Sequence, residues 1–458
     1  MKKYEVIVIG AGGGTKISTP ASIIGKKAAI IEEWKLGGTC LNRGCIPSKM
    51  LIHPANVIVA AREAKKLGVD VNHIKPHFSK IVRRISKTVD ADSASIGKSY
   101  KHANNLDYYH DHAKFISNKV IEVNGKKITA KKIVIAAGAR PSIPPIPGLS
   151  GTPYMTSTEA LRNTKLPKKL IVIGGGYIAC ELGHAYAAYG SQVNFIVRKE
   201  RFLMREDKEV SATFTKVFKK FHTAHIGWTP MEVKYKNKKF TLTLRNNSGK
   251  TKKITGDALL MATGVKPNSD KLGLENTKVK VNKRGFIKVN KFMETSAKGV
   301  YAIGDVIGKY MFRHSVNFEG EYLFNQLFRK TKKPIKYPPM PYAVFTHPEI
   351  GAVGPTEEEL KAKGIKYIVG NNPYKASAQG MARLSGLDFA KLIFDKKTKK
   401  LISVRIIGVE AATMIHQLIY AMTFGATVDD LLNMIYIHPT MPEIVRNATR
   451  KAKAQLSS

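Results

Sequence analysis

The chain has 458 residues, 43% of them apolar and with both charge signs throughout, which is enough for about two to four domains with their own cores. Its 76 Lys and Arg against 34 Asp and Glu give a formal net charge of +42, and its 3 cysteines exclude a disulfide-rich secreted scaffold. No uncharged apolar run approaches about 18 residues, and Met1-Lys2-Lys3 leads straight into an apolar strand, so neither a membrane span nor a signal peptide is expected and a cytoplasmic location is.

In chain order, residues 4–9 form an apolar strand running into Gly10-Ala11-Gly12-Gly13-Gly14, and a second strand over 27–31 ends at Glu32, the opening of a βαβ unit. The spacing of Val57, Ile58, Ala61 and Ala64 predicts mostly helical, amphipathic structure over 50–100. Strand-like segments lead to 133–141, and a Pro-rich stretch over 141–147 marks a boundary. A second βαβ unit starts with the strand 170–173 and Gly174-Gly175-Gly176, continues through a strand at 192–197, and ends near Ala262-Thr263-Gly264, an echo of Ala136-Ala137-Gly138. From about Tyr337 the texture changes to strands near 343–346, 392–394 and 402–409 and helices through 411–435, read as a third αβ domain built for dimerisation.

A glycine turn between a strand and a helix lets the backbone approach a pyrophosphate at the helix N-terminus. Gly10 and Gly12, with Gly14 in the same run, supply it in the first unit, and Glu32, 22 residues after Gly10, stands where a carboxylate accepts ribose hydroxyls. Thr15 takes the place of the third glycine, and Thr19-Pro20 is expected to interrupt the helix, with Thr19 capping a restart at Pro20. In the second unit Gly174 and Gly176 repeat the turn, with Tyr177, Ile178 and Glu181 following. Its second strand ends on Val197-Arg198-Lys199 without an acid, and an Arg accepts a 2′-phosphate that an acid would repel, so NADPH is expected over NADH.

Cys40 and Cys45 lie in the run Gly37-Gly38-Thr39-Cys40-Leu41-Asn42-Arg43-Gly44-Cys45-Ile46-Pro47-Ser48-Lys49. Spacing alone suits a redox pair, a structural disulfide or half a zinc site. The third cysteine, Cys180, is remote, and no second Cys/His pair stands at ligand spacing, so a redox pair is preferred and no metal site is expected. Read on its own, Lys49 is a solvated helix lysine. Near the C-terminus, Ile437-His438-Pro439-Thr440-Met441-Pro442-Glu443 has capping-box spacing between Thr440 and Glu443, and a Glu held there would orient the His438 imidazole.

Together these motifs resemble the flavoprotein disulfide reductases: dihydrolipoyl dehydrogenase, mycothione reductase and glutathione reductase. The resemblance covers essentially the whole chain. It implies an α/β fold of two Rossmann-like dinucleotide-binding domains plus a C-terminal α+β dimerisation domain: residues 1–148 with 265–335 for FAD, 149–264 for NAD(P)H, and 336–458 for the interface. It also implies Cys40 as the interchange thiol facing substrate and Cys45 as the thiol against the flavin. Lys49 would lie near the flavin paired with Glu181, and His438, oriented by Glu443, would serve as base for the other subunit of an obligate homodimer. By the same resemblance Asp305 bonds the ribityl chain, Met311 to His314 follow the cofactor, Ala113 lies near the adenine, and Thr39, Ala137 and Gly138 pass the flavin nucleotide. Val233 and Gly264 join Gly174, Gly176, Tyr177, Ile178, Val197 and Arg198 on the nicotinamide side.

The implied substrate is a small disulfide or dithiol, with a lipoyl-bearing multienzyme partner in the lipoyl branch. No cysteine follows Cys180, which removes the C-terminal relay of mercuric reductase and large thioredoxin reductases, and Thr19-Pro20-Ala21 lacks the arginine of glutathione-binding relatives. Dihydrolipoyl dehydrogenase is the broadest label; Thr15, Val197-Arg198 and the His438 run look more like mycothione reductase. The alternative from composition is a nucleic-acid-binding protein on the same fold. The basic residues are scattered in pairs such as Lys131-Lys132, Lys219-Lys220 and Lys399-Lys400 beside turns, which reads as a solvated surface with no specific nucleic acid.

Overall fold

The computed structural model describes residues 1–329 and 331–456. The chain forms two compact units, one of residues 1–50, 81–143 and 264–336, the other of 51–80, 144–263 and 337–458.

The first unit is organised by the strand Lys2–Ile9, buried on both faces from Val6 onward, as the centre of a parallel sheet requires. It pairs in parallel with Ala28–Ile31 on one side and Lys126–Ile135 on the other. Leu106–Tyr109 extends the first edge, while Val300–Ala302 joins Lys126–Ile135 in parallel, with Val300 opposite Ile133. Two short antiparallel strands, Lys114–Ser117 and Val120–Val123, complete the seven-stranded sheet. The glycine turn therefore sits at the carboxyl end of the central strand, where open α/β sheets bind ligands.

Two local expectations are corrected here. The helix Thr15–Ile23 runs unbroken through Pro20, so Thr19 caps nothing. Pro20 removes one hydrogen bond, but Ile17 and Ala21, both fully buried with the sheet's Val6, Val8 and Ile30, hold the turn in place. The third close glycine is Gly14 rather than position 15. A Cβ at Gly14 would lie 2.3 Å from Gly10 O and 2.4 Å from Val8 Cγ1, while Thr15 only donates its hydroxyl to Gly12 O at 3.0 Å.

In the second unit a four-stranded parallel sheet has the order Thr223–Ile226, Gln192–Val197, Lys169–Ile173, Ala258–Met261. An antiparallel meander, Trp228–Lys236, Lys239–Asn246 and Thr251–Gly256, accompanies it. Phe195, Phe202, Phe214 and Phe218 pack ring on ring beneath the helix Lys208–Phe221. A five-stranded antiparallel sheet follows, ordered Pro341–Val344, Ile350–Val353, Leu401–Ile407, Phe389–Asp395, Tyr367–Pro373. Its Leu392, Phe394 and Ile406 share one core with Ile415 and Leu418 of the helix Ala411–Thr423 and Ile444 and Val445 of Glu443–Ala454.

Within this unit Lys391 is 1% exposed, its Nζ 3.0 Å from Asp207, 3.0 Å from Glu209 and also bonded to Glu357. Those three carboxylates have the spacing of cation ligands, but the lysine ammonium already sits among them. Truncating it would strand buried charge at a cost of about 3–5 kcal/mol. Among the described residues no helix is long and apolar enough to cross a membrane.

Candidate active site

The redox run is placed by glycine. Gly37 and Gly38 hold φ of 95° and 65°, and a Cβ on Gly38 would lie 2.6 Å from Gly12 Cα, so the cysteine segment is seated directly on the first glycine turn. Asn42, buried, donates its amide to Leu36 O at 2.8 Å and Gly38 O at 3.1 Å, and Ser93 donates to Leu36 O at 2.8 Å. Cys40 lies in the short helix Gly38–Arg43, and Cys45 opens the long helix Cys45–Glu63.

The fold brings the two sulfurs within hydrogen-bonding reach of each other. That hydrogen bond, donated by Cys40, draws the Cys45 thiol down to about 7; burial opposes the shift, and Lys49 and Arg313 add to it. The same bond, followed by burial, holds the Cys40 thiol well above its ordinary range. Cys45 at a helix N-terminus beside cations is the group that ionises first.

Around the glycine turn, Glu32 accepts Ala11 N–H at 2.8 Å and Trp34 N–H at 3.1 Å. Burial raises its pKa against those two bonds. Gly138 and Gly304 adopt φ of 69° and 76°. Glu319, fully buried, accepts Gly304 N–H at 2.7 Å and so fixes the turn that presents Asp305. The Asp305 carboxylate has no hydrogen-bond partner among the described residues, and burial alone lifts its pKa to about 6. A mostly desolvated acid awaiting donors, beside a glycine cradle, fits the sugar hydroxyls of a flavin nucleotide. Ala113 is 3% exposed within the core. Ala137 O accepts from Asn268 at 2.8 Å, Thr39 and His314 are exposed, and Met311 is half-buried beside the stacked Phe312–His314 pair.

In the second unit Gly174 holds φ of 141°, and Gly176 caps the helix Tyr177–Tyr189 without a side-chain bond, leaving its N–H groups open to an anion. Tyr177 is 43% exposed there and Ile178 is half-buried. Glu181 is buried and accepts Phe345 N–H at 3.0 Å. Val197 is 3% exposed and fills the space at Gly175, whereas Arg198 is exposed with no ion-pair partner among the described residues. Val233 is 1% exposed and donates its N–H to Pro147 O at 2.9 Å, a packing position in its strand. Gly264, the first residue of the 264–336 segment of the first unit, holds φ of 113°.

His438 Nδ1 lies 3.1 Å from the Glu443 carboxylate, which is buried and also takes Thr440 N–H at 3.2 Å and Arg446 at 2.7 Å. Burial works against the Glu443 anion, but the bonds from His438 and Thr440 keep its pKa below the ordinary value. The expected capping box is only half formed: the Thr440 hydroxyl donates to Ile437 O at 2.6 Å, and the helix begins at Glu443 itself. The imidazole is 71% exposed, directly after Ile437, which with Ile435 is also exposed, at 77% and 97%. Three contributors escaped the sequence reading: Asn42 as a clamp, Glu319 as the support of Gly304, and Arg313, whose charge acts on both thiols. Asn42 sat inside the cysteine run, but only its fold position reveals the clamp.

Residues 4–320 match the family described as pyridine nucleotide-disulphide oxidoreductase, and residues 340–449 match its dimerisation domain. The chain is 34% identical to a mycothione reductase of Mycobacterium tuberculosis over 467 aligned positions, covering 98% of this chain and 99% of that one. It is 33% identical to a dihydrolipoyl dehydrogenase of Trypanosoma brucei brucei over 459 positions, covering 97% and 95%. The fold is similar to the HOCl-induced flavoprotein disulfide reductase RclA from Escherichia coli, solved as a Cu(II) complex, with a TM-score of 0.87, 27% identity and coverage of 98% and 99%. With paired thiols, two glycine turns and this full-length similarity, the chain belongs to the class I pyridine nucleotide-disulfide oxidoreductases, a family of FAD-containing enzymes that use NAD(P)H.

Proposed function

We propose that this enzyme passes electrons from NADPH through FAD and the Cys40–Cys45 pair to a small disulfide, with a lipoyl-type dithiolane as the leading substrate. The observation that carries the reading is the thiol pair itself: two sulfurs in mutual contact, one with its pKa lowered to about 7, seated on a nucleotide-type glycine turn. Glu32, Gly138 and Asp305 would hold FAD, which when bound supplies the two-electron relay between nicotinamide and sulfur. Gly174, Gly176 and Arg198 would hold NADPH.

With both thiols reduced, an imidazole takes the proton of the Cys40 thiol as that sulfur attacks one sulfur of the substrate; a mixed disulfide forms, and the other substrate sulfur leaves and takes the proton back from the imidazolium. Cys45 thiolate then attacks Cys40 sulfur and expels the second substrate thiol. The pair ends oxidised and the substrate reduced by two electrons. His438 is the proposed proton carrier. Its exposure among bare apolar side chains supports a homodimer in which it serves the partner subunit's cysteines.

Arg198 favours a second reading, an NADPH-dependent reductase of a low-molecular-weight thiol disulfide such as mycothione. Steady-state assays with lipoamide, mycothione and oxidised glutathione, each with NADPH and NADH, rank these readings. His438→Gln should slow disulfide turnover about 10²–10⁴-fold while NADPH still bleaches the flavin. Undiminished turnover would remove His438 from this role, and an enzyme idle on every disulfide would remove the reading.

A further inference from the structure

The helix Arg313–Phe328 is pinned to the first glycine turn. A Cβ on Gly13 would lie 2.2 Å from Val316 Cγ2, and one on Gly304 would lie 2.8 Å from the same atom. Arg313 stands three residues before Val316, on the same helix face and one turn nearer the N-terminus. On the adjoining residue of that turn, Gly12 carries Gly38, the first residue of the Cys40 helix. One glycine turn thus carries both the thiol segment and the segment bearing Arg313.

The charges around the thiols are unevenly shared. Lys49 is among the main influences on Cys45, whereas Arg313 acts on Cys45 and Cys40 alike. Arg313 is half-buried and makes no hydrogen bond or ion pair with any described residue. A partly desolvated guanidinium with no counter-ion is costly to keep unless an anion arrives to meet it. Cys45 is also attended by Lys49, whereas at Cys40 the cation whose charge is felt is Arg313.

We propose that Arg313 is a specificity-determining residue, whose guanidinium takes the carboxylate of an anionic small disulfide as that disulfide meets Cys40. The inference rests on the disulfide-reductase reading above and deepens it by naming the substrate class. A guanidinium matches a carboxylate with two parallel charge-assisted hydrogen bonds, which a neutral amide cannot offer. The net charge of +42 adds a long-range attraction for the same anions.

Lipoate and lipoamide carry the same dithiolane and differ by one negative charge, so their ratio of kcat/KM isolates the contact. The wild-type holoenzyme should favour lipoate. Arg313→Met should lower the lipoate-to-lipoamide ratio about 10- to 100-fold, mainly through KM, and Arg313→Lys should restore part of it. Should the Met variant fail to fold, the wild-type ratio still answers: it should fall as ionic strength rises from about 0.02 to about 0.5 M. Equal losses on both substrates would show that Arg313 only steadies thiolate, and an unchanged ratio would show that it does neither; either result overturns the proposal. A wild type that reduces neither compound but does reduce another disulfide overturns this proposal alone, and one idle on every disulfide while NADPH still bleaches its flavin removes the parent reading with it.

Discussion

The two nucleotide-binding folds make the same turn with the same atoms and then part at one side chain. In the first, a Cβ on Gly10 would lie 2.3 Å from Ala136 O; in the second, a Cβ on Gly174 would lie 2.3 Å from Ala262 O. Both glycines sit in the left-handed region, at φ of 104° and 141°. At the end of the next strand the first fold places Glu32, bonded to two backbone N–H groups, and the second places buried Val197 followed by exposed Arg198. The turn is dictated by how closely the backbone must pass, which no side chain can vary. The strand end is under no such steric limit, and one substitution there reverses the charge it offers a ligand.

The sharpest way to break this comparison is at the turn. Gly10→Val should cut the flavin content of purified protein more than tenfold, since strain and collision act at one atom. Gly174→Val should leave the flavin in place and abolish its reduction by NADPH. Absorbance spectra of the two proteins decide, and matching losses would mean the turns are not separate sites. Next, Arg198→Glu should shift the NADPH-to-NADH ratio of kcat/KM towards NADH by about 10–100-fold, through a lost charge-assisted bond and an added repulsion. A fixed ratio would reduce Arg198 to surface charge.

The smallest effect concerns Asp305. Its folded pKa is raised to about 6, above the ordinary carboxylate value, so the folded apoprotein binds this proton more tightly than the unfolded chain. Its contribution is therefore most favourable below the unfolded value and is lost as pH rises through about 6. Asp305→Asn should raise the apoprotein Tm by a few degrees at pH 8, with little change near pH 4, while hastening flavin loss. A Tm gain of the same size at both pH values would contradict the assigned cause.

Much of this was legible in the residues. Strands buried on both faces, as at Val6 to Ile9, announce a parallel sheet, and the Gly-rich turns and the cysteine run carry local spacing that survives without coordinates. The helix over Pro20 was misread because a propensity was weighed without the packing of Ile17 and Ala21 that overrides it. Thr440 was misread as a cap because spacing does not say which way a hydroxyl turns. Arg313 and Glu319 were invisible for a different reason. The thiols on which Arg313 acts lie in a remote segment that only the fold brings near, and Glu319 meets Gly304, 15 residues away, only because the chain turns back there.

The orphaned acid at Asp305 has a consequence beyond catalysis. A chain that desolvates a carboxylate with no donor among the described residues is a less durable object empty than filled, because whatever binds the folded form alone also protects it from unfolding. Protein made faster than vitamin-derived nucleotide can be supplied should be cleared first by proteases, so the cellular lifetime of this reductase would track riboflavin status.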